Sequence, residues 1–236
     1  DNANIINHRI RKTVIKSDRR FTYEEAQETI ETGKGDYAEE VLTLDRLAKA
    51  LRKRRFEHGS VNFDRFEVRF EIDETGHPIS VYFKVSKDAN KLVEEFMLLA
   101  NKQVATDIGN PGGRKKAKPF VYRIHDNPDP DRMTNFAEIA NRFGYKVRTT
   151  GKRTDINNSL NKMLSNVKGK PEENLLSILA IRSMSKAVYS TVNVGHYGLA
   201  FDYYTHFTSP IRRYPDMMVP VSYTHLRAHE TLMNLV

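Results

Sequence analysis

The sequence of 236 residues contains no cysteine and no tryptophan. The absence of cysteine excludes disulfide bonds and thiolate metal sites, and it is typical of proteins of the cytoplasm. No run is long and apolar enough to cross a membrane. The polar residues at the start are not followed by the apolar segment of a signal peptide. We therefore expect a cytoplasmic protein without a membrane partner.

Acidic residues are scarcer than basic ones, 30 against 38, which gives a formal net charge of +8. A basic excess suits a polyanionic partner such as RNA or DNA, although a basic protein without such a partner has the same balance. Hydrophobic residues make up 39% of the chain. This length and this content allow one sizeable core or two small ones.

Helix signals occupy much of the chain. Thr22 and Glu25 have the spacing of a capping box, which predicts a helix that ends at Gly33. Further helices are predicted over 36–56, 88–108, 133–143 and 172–188. The basic run 52–55 is interpreted as a solvated helix end rather than an RNA contact. The predicted buried faces are Val41, Leu44, Ala48 and Leu51 in the second helix, and Leu92, Phe96, Leu99 and Val104 in the third.

Strand signals are fewer. Residues 60–85 alternate between apolar and polar, and Thr75-Gly76 within them is a turn signal, so a β-hairpin is predicted. Residues 120–124 form a short apolar run that favours another strand.

The most informative stretch is residues 206–216, His-Phe-Thr-Ser-Pro-Ile-Arg-Arg-Tyr-Pro-Asp. Ser209 as N-cap and Pro210 as first helical residue predict a helix start, and the free N–H groups of a helix start attract anions. Arg212 and Arg213 add two guanidinium groups that suit phosphate. For the arginine pair alone, an Arg212–Asp216 ion pair on a solvated helix face is the favoured alternative.

This string, preceded by Gly-His-Tyr-Gly-Leu-Ala at 195–200, resembles the end of the catalytic domain of the ribonuclease R and ribonuclease II family. Three further segments resemble the family in the same order, 13–25, 91–101 and 122–126, and the likeness is greater to ribonuclease R. The resemblance implies a partial RNB-type catalytic domain of the α+β class over 1–219, with mixed antiparallel strands and surrounding helices. Residues 220–236 depart from the family pattern and are interpreted as a non-native, adapter-like tail.

The resemblance also implies roles for single residues. Arg212 matches the family's catalytic arginine beside the scissile phosphate, where it would neutralise charge that grows in the transition state. Arg213 would contact a neighbouring phosphate, and Tyr122 would stack on the 3′-terminal bases. Ser209 and Tyr214 complete the predicted RNA-binding set. For Tyr122, a core aromatic in a short strand is the alternative.

Members of the family hold two magnesium ions with an aspartate-rich motif, and we find no such motif in this sequence. The nearest candidate is residues 125–131, His-Asp-Asn-Pro-Asp-Pro-Asp, whose prolines favour a turn and a helix cap over a metal site. We therefore expect Mg²⁺ in a parent enzyme, with no metal ligand in this chain.

The function implied is that of a processive 3′-to-5′ exoribonuclease, which hydrolyses single-stranded RNA to nucleoside 5′-monophosphates. On this interpretation the chain is a fragment of a longer enzyme, and it is expected to be monomeric and inactive alone. The alternative is a non-catalytic basic RNA-binding module, with the arginines and the basic loop at 114–118 as its surface.

Overall fold

A computed structural model describes residues 3–11, 13–62, 67–110, 119–209 and 212–222. The basic loop at 114–118, Pro210 and residues 223–236 of the predicted tail lie outside this set. Helices surround two short antiparallel strand pairs, so the predicted α+β class is confirmed. The helices are α1 (Tyr23–Thr32), α2 (Ala38–Glu57), α3 (Asp88–Gly109), α4 (Pro130–Arg142), α5 (Arg153–Val167), α6 (Glu173–Ser183) and α7 (214–222).

The start of α1 shows how local sequence sets local structure. The Thr22 hydroxyl accepts a hydrogen bond from Glu25 N at 3.2 Å, and the Glu25 carboxylate accepts one from Thr22 N at 2.7 Å. Both arms of the predicted capping box are therefore formed. At the other end, Gly33 has φ +69°, a left-handed conformation that glycine adopts without strain. Both predicted ends of this helix are confirmed.

The four strands form two antiparallel pairs, of which the first is a hairpin and the second joins strands that α4, α5 and α6 separate in the sequence. Strands β1 (Glu67–Ile72) and β2 (Pro78–Lys84) pair in antiparallel fashion around the predicted turn, where Gly76 N donates to the Asp73 carbonyl oxygen at 3.1 Å. Strands β3 (Tyr122–Ile124) and β4 (Val188–Ser190) pair in antiparallel fashion as well. Residue 188 therefore belongs to a strand, and α6 ends five residues before it, earlier than predicted.

The core has a large part and a smaller part. The large part lies between α4, α5 and α6, and the smaller part lies between the end of α3, β3 and α7. Full burial of each large apolar side chain contributes about 1.5–3 kcal/mol. The buried residues of the large part include Met133, Phe136, Ala140, Leu160, Met163, Val167, Leu176 and Ala180, and those of the smaller part include Val104, Ala105, Phe120, Tyr122 and Val219.

A buried ion pair joins α2 to α3. Arg55 Nη2 donates to Glu95 Oε1, Arg55 Nε donates to Glu95 Oε2 at 3.3 Å, and Arg55 Nη1 donates to Ser60 Oγ at 2.7 Å. The two charged side chains are only 8% and 4% exposed. The interpretation of the basic run 52–55 as a solvated helix end is therefore wrong for its last residue, because Arg55 lies between the two helices.

The predicted buried faces of α2 and α3 need correction. In α2, Val41 and Ala48 are buried, but Leu44 is 41% exposed. In α3 the most buried side chains are Ala89, Glu95, Leu98, Asn101, Val104 and Ala105, of which only Val104 was predicted. The apolar pattern misplaced the buried face of α3 because two polar residues, Glu95 and Asn101, are buried with hydrogen-bond partners. The side of the helix that packs inward is therefore rotated from the predicted one.

Candidate functional site

The loop at 195–200 folds back onto the end of β3. His125 N donates to the Gly195 carbonyl oxygen at 3.0 Å, and Tyr197 N donates to the His125 carbonyl oxygen at 2.7 Å. The His125 ring completes the contact, because its Nδ1 accepts from Gly198 N at 3.1 Å. A Cβ at Gly198 would lie 2.9 Å from that Nδ1. The glycine at this position is thus required by the close approach of the loop to the histidine ring.

The same loop is fastened to two distant parts of the chain. Tyr197 Oη donates to Asn157 Oδ1 at 2.6 Å, and Asn157 Nδ2 donates to the Gly59 carbonyl oxygen at 2.7 Å. Ser60 Oγ donates to the Gly198 carbonyl oxygen at 3.0 Å. Asn157 is fully buried, so each of these polar groups needs its partner. The loop is therefore a fixed base for the segment that follows it.

Residues 204–208 run between β3 and α3. Arg123 N donates to the Tyr204 carbonyl oxygen at 2.9 Å, and Thr205 Oγ1 donates to the Val121 carbonyl oxygen at 2.9 Å. From the other side, buried Asn101 of α3 accepts from Phe207 N at 3.1 Å through its Oδ1. These bonds fix the backbone up to the arginine-bearing segment.

The helix after the Ser-Pro pair begins later than predicted. Residues 209, 212 and 213 are not helical, and α7 begins at residue 214. Asp216, in the first turn, accepts from Arg213 N at 3.1 Å and from Ser209 N at 3.4 Å. The prediction of Ser209 as the N-cap is therefore wrong. Its physical reason is that α7 begins at residue 214, where the Asp216 carboxylate reaches back to Arg213 N, and that the Ser209 hydroxyl accepts from Arg212 Nε instead.

Arg213 is bound to protein groups on all sides of its guanidinium. It donates through Nε to Asp216 Oδ2 at 2.9 Å, through Nη2 to Asp216 Oδ1 at 2.7 Å, and through Nη1 to His206 Nε2. These hydrogen bonds hold the pKa of the Asp216 carboxyl below its ordinary value. The Arg212–Asp216 ion pair is thus replaced by Arg213–Asp216. The predicted contact of Arg213 with phosphate is not supported by this geometry, because its fork is occupied.

Arg212 is placed differently from its neighbour. Its side chain is exposed, and its Nε donates to Ser209 Oγ at 2.8 Å. Within the described part of the chain, no carboxylate pairs with it. The two Nη groups therefore remain available to an anion, while the serine restrains the Nε end. Tyr214 is 65% exposed. The structure thus brings Ser209 to Arg212 and leaves Tyr214 open to solvent.

Tyr122 lies in the core. The side chain is 5% exposed, and its ring centroid is 5.4 Å from that of Phe120 and 6.4 Å from that of Tyr203. Its hydroxyl lies against Gly109, where a Cβ would be 2.6 Å away. This placement fits the packing alternative. The predicted stacking on RNA bases is not supported, because a ring buried in this way presents no open face to a base.

Sequence reasoning missed Arg123 and Tyr189, which reach the arginine pair through His206. Arg123 stands over the ring of Tyr189, with its guanidinium carbon 4.7 Å from the ring centroid. The Tyr189 hydroxyl lies 3.3 Å from His206 Nδ1. Because Arg213 can only donate, His206 Nε2 accepts, and the proton of the neutral ring is on Nδ1, facing that hydroxyl oxygen. The alternation within β3, with Tyr122 inward, was the signal that could have placed Arg123 outward.

Two histidines of this region are held neutral. Burial, together with His125, lowers the pKa of His196 to about 3. Burial and the positive charges of Arg213 and Arg123 lower the pKa of His206 to about 4. Both rings contact Tyr204, at centroid distances of 5.2 Å for His196 and 6.5 Å for His206. A proton on either ring would therefore add charge to a partly desolvated, already positive environment.

Acidification is expected to destabilise the fold through these two histidines. Their pKa values of about 3 and about 4 lie below the ordinary value of 6.5, so between those limits the unfolded chain binds protons that the folded chain does not. This contribution to stability is complete above pH 6.5 and is lost as the pH falls toward 4. Thermal unfolding at several values from about pH 7.5 to about pH 5, where ordinary carboxyls stay mostly ionised, measures it.

The variant His206→Gln supplies the control for this pH dependence. It cannot take up the proton, so its melting temperature should fall less over the same range than that of the unmodified chain. An equal fall in both proteins would show that His206 does not contribute. The Asp216 carboxylate opposes the effect of the arginines on His206, and its own loss of charge comes at lower pH because its pKa is lowered.

The residues present do not fit a magnesium site. In the described ranges, no group of three or more histidine, aspartate or glutamate side chains could hold a metal ion. In the Asp-Pro segment, Asp129 caps α4 by accepting from Asp131 N at 3.0 Å and from Arg132 N at 3.1 Å. Asp126 accepts from the neighbouring Asn127 N at 2.7 Å. No catalytic step is therefore assigned to a metal held by these residues.

None of the helices in the described ranges is long and apolar enough to cross a membrane.

Comparisons with known proteins give a consistent result. The family model for the RNB domain matches residues 1–226. Ribonuclease R of Aquifex aeolicus is 36% identical over 225 residues, which cover 93% of this chain and 31% of that protein. Ribonuclease R 1 of Lactococcus lactis is 38% identical over 224 residues, which cover 91% of this chain and 26% of that protein. The chain therefore spans about a third or less of the length of these relatives.

A solved structure has the same fold. Mycoplasma genitalium RNase R in complex with ribose methylated single-stranded RNA superposes with a TM-score of 0.77 at 25% sequence identity. The superposition covers 90% of this chain and 33% of that protein. The likeness thus extends over nearly all of the present sequence and over a minor part of the matched structure.

Proposed function

The chain belongs to the RNB domain family, and from this premise we propose that it is part of a ribonuclease R-type 3′-to-5′ exoribonuclease. The substrate is single-stranded RNA, the products are nucleoside 5′-monophosphates, and the enzyme acts as a monomer in the cytoplasm. The observation that carries the proposal is Arg212, exposed and restrained by Ser209 inside the matched domain. Relatives named ribonuclease R and a solved RNase R complex with single-stranded RNA support the choice of substrate.

In this proposal Arg212 acts on the phosphate that is being cleaved. Hydrolysis of a phosphodiester adds negative charge to the phosphate oxygens in the transition state. Two Nη groups with no carboxylate partner in the described structure can donate to those oxygens, and the Ser209 contact limits the rotation of the fork. Arg213, bound to Asp216, holds the turn that carries Arg212. The parent enzyme uses Mg²⁺ in this proposal, with ligands outside the described residues.

A chimera tests the proposed function. Residues 1–222 replace the matching segment of Lactococcus lactis ribonuclease R 1, and the purified chimera is incubated with 5′-labelled single-stranded RNA and Mg²⁺. We expect stepwise shortening from the 3′ end with release of mononucleotides. The unmodified Lactococcus enzyme is the positive control. A folded chimera that binds RNA but releases no mononucleotide would overturn the exonuclease proposal and leave an RNA-binding module.

The isolated 236-residue chain is assayed in parallel. We expect it to bind RNA without cleaving it, because the residues described here do not fit a metal site. RNA cleavage by the isolated chain would contradict the expectation that it is inactive alone.

A further inference from the structure

Arg123 and Tyr189 are direct partners across the β3–β4 pair. In a strand, successive side chains point to opposite faces. Because Tyr122 is buried in the core, Arg123 points away from it, toward Tyr189 and the arginine-bearing segment. The backbone at this position is also held from its other edge, since Arg123 N donates to the Tyr204 carbonyl oxygen. The start of the Arg123 side chain is therefore fixed by regular secondary structure.

The guanidinium of Arg123 lies over Tyr189, with its carbon 4.7 Å from the ring centroid, within the range of a cation–π contact. The ring is itself held, because its hydroxyl faces His206 Nδ1 at 3.3 Å. A guanidinium carries five N–H donors, which can bind phosphate while the group stays over the ring. Within the described ranges, no hydrogen bond or ion pair uses the Arg123 guanidinium.

The charges of this region are not balanced. Arg123, Arg212 and Arg213 all act on His206, and so does the Asp216 carboxylate. Arg213 takes both oxygens of that carboxylate. Among the described residues, no ion pair joins Arg123 or Arg212 to a carboxylate, so Asp216 does not neutralise these two charges. Such a pair attracts a ligand with more than one negative group, such as a nucleic-acid backbone.

We propose that Arg123, stacked on the Tyr189 ring, is a second phosphate-binding residue of this interface. It contacts an RNA phosphate other than the one at Arg212. The inference rests on the proposed function and extends it, because it gives the interface two phosphate contacts on separate structural supports. One support is the turn at Ser209, and the other is the β3–β4 pair.

RNA binding by the whole 236-residue chain tests the inference. A 5′-fluorescein-labelled oligoadenylate is titrated in EDTA, and fluorescence anisotropy gives Kd over a series of KCl concentrations. We expect Arg123→Gln to weaken binding about tenfold at the lowest salt, as for loss of one charge-assisted contact. The slope of log K against log [KCl] should fall in magnitude by about 0.7, the value for one phosphate contact on a single strand.

Two further variants sharpen the result. Arg123→Lys keeps the charge and loses the planar fork, so the slope should stay as in the unmodified chain while Kd rises by about threefold. If Arg123→Gln does not fold, the Kd and the salt slope of Arg123→Lys test the inference in its place. Arg142→Gln removes an equally charged, exposed side chain at the end of α4. That control should change Kd less than twofold.

The outcomes separate this inference from the proposed function. If the unmodified chain binds RNA and Arg123→Gln has the same Kd and the same slope, the inference is overturned and the proposed function stands. A loss as large in Arg142→Gln as in Arg123→Gln would also overturn it, because net charge alone would then explain the change. If the unmodified chain does not bind RNA at all, the inference and the RNA-binding part of the proposed function both fail.

Discussion

Replacement of Arg212 by alanine in the Lactococcus chimera is expected to lower kcat about a hundredfold to a thousandfold, the usual effect of removing one donor to a developing anionic charge. The KM for RNA should change little, because a long RNA keeps its other contacts in the ground state. The reason lies in the availability of the side chain. Arg212 is exposed, and its one side-chain hydrogen bond to the described residues runs from Nε to Ser209, whereas Arg213 donates to Asp216 and His206.

Single-turnover and steady-state assays of mononucleotide release measure this effect. Arg142→Ala, on α4, is the matched control and should leave kcat unchanged. An Arg212→Ala chimera with unchanged kcat would remove this residue from the transition state. A rise in KM at constant kcat would show that Arg212 binds the substrate and its transition state equally.

Replacement of Glu95 by leucine is expected to lower the free energy of unfolding by about 3–5 kcal/mol. Arg55 would stay between α2 and α3 with an 8% exposed side chain, and no described carboxylate would replace Glu95 beside the remaining Ser60 hydroxyl and Phe56 ring. Removing one member of a buried ion pair leaves the other charge desolvated and uncompensated. That cost exceeds what the added apolar surface of leucine returns.

Urea unfolding of the 236-residue chain measures the loss. Glu94→Leu is the matched control on the same helix. Glu94 is exposed, so the change should be within about 0.5 kcal/mol. The double variant Arg55→Met with Glu95→Leu removes both charges and should recover much of the lost stability. A loss below about 1 kcal/mol for Glu95→Leu would show that Arg55 finds solvent or another partner when its carboxylate is removed.

Local signals predicted local structure well. Three features depend only on neighbours within four residues: the Thr22–Glu25 capping box, the left-handed Gly33 and the turn near Gly76. Such features can be predicted from a short stretch of sequence. The α+β class was implied by the resemblance of four ordered segments to the RNB family. Membership of that family is confirmed by the family model, which matches residues 1–226.

Two of the errors concern side chains whose partners are distant in the sequence, and a third concerns the choice between two adjacent arginines. Arg55 was predicted to be solvated because its neighbours are basic, and nothing nearby shows that Glu95 will reach it. The ion pair of Asp216 was predicted with Arg212 and is formed with Arg213, because both arginines lie three or four residues before the aspartate. The later start of α7 places Arg213 beside the carboxylate. Arg123 was overlooked because its importance arises from Tyr189, which the register of β3 with β4 brings opposite.

The hydrogen bond from Ser60 to Gly198 has a consequence for how the chain is made. Its two partners are 138 residues apart. At a synthesis rate of about 5–20 residues per second, the end of α2 waits roughly 7–28 s for the loop that completes its contacts. During that interval the end of α2 lacks these contacts, and the nascent chain is open to chaperones and proteases. The turn that bears Arg212 is synthesised later still, after helices α1 to α6 and all four described strands, so its contacts form after those elements have been made.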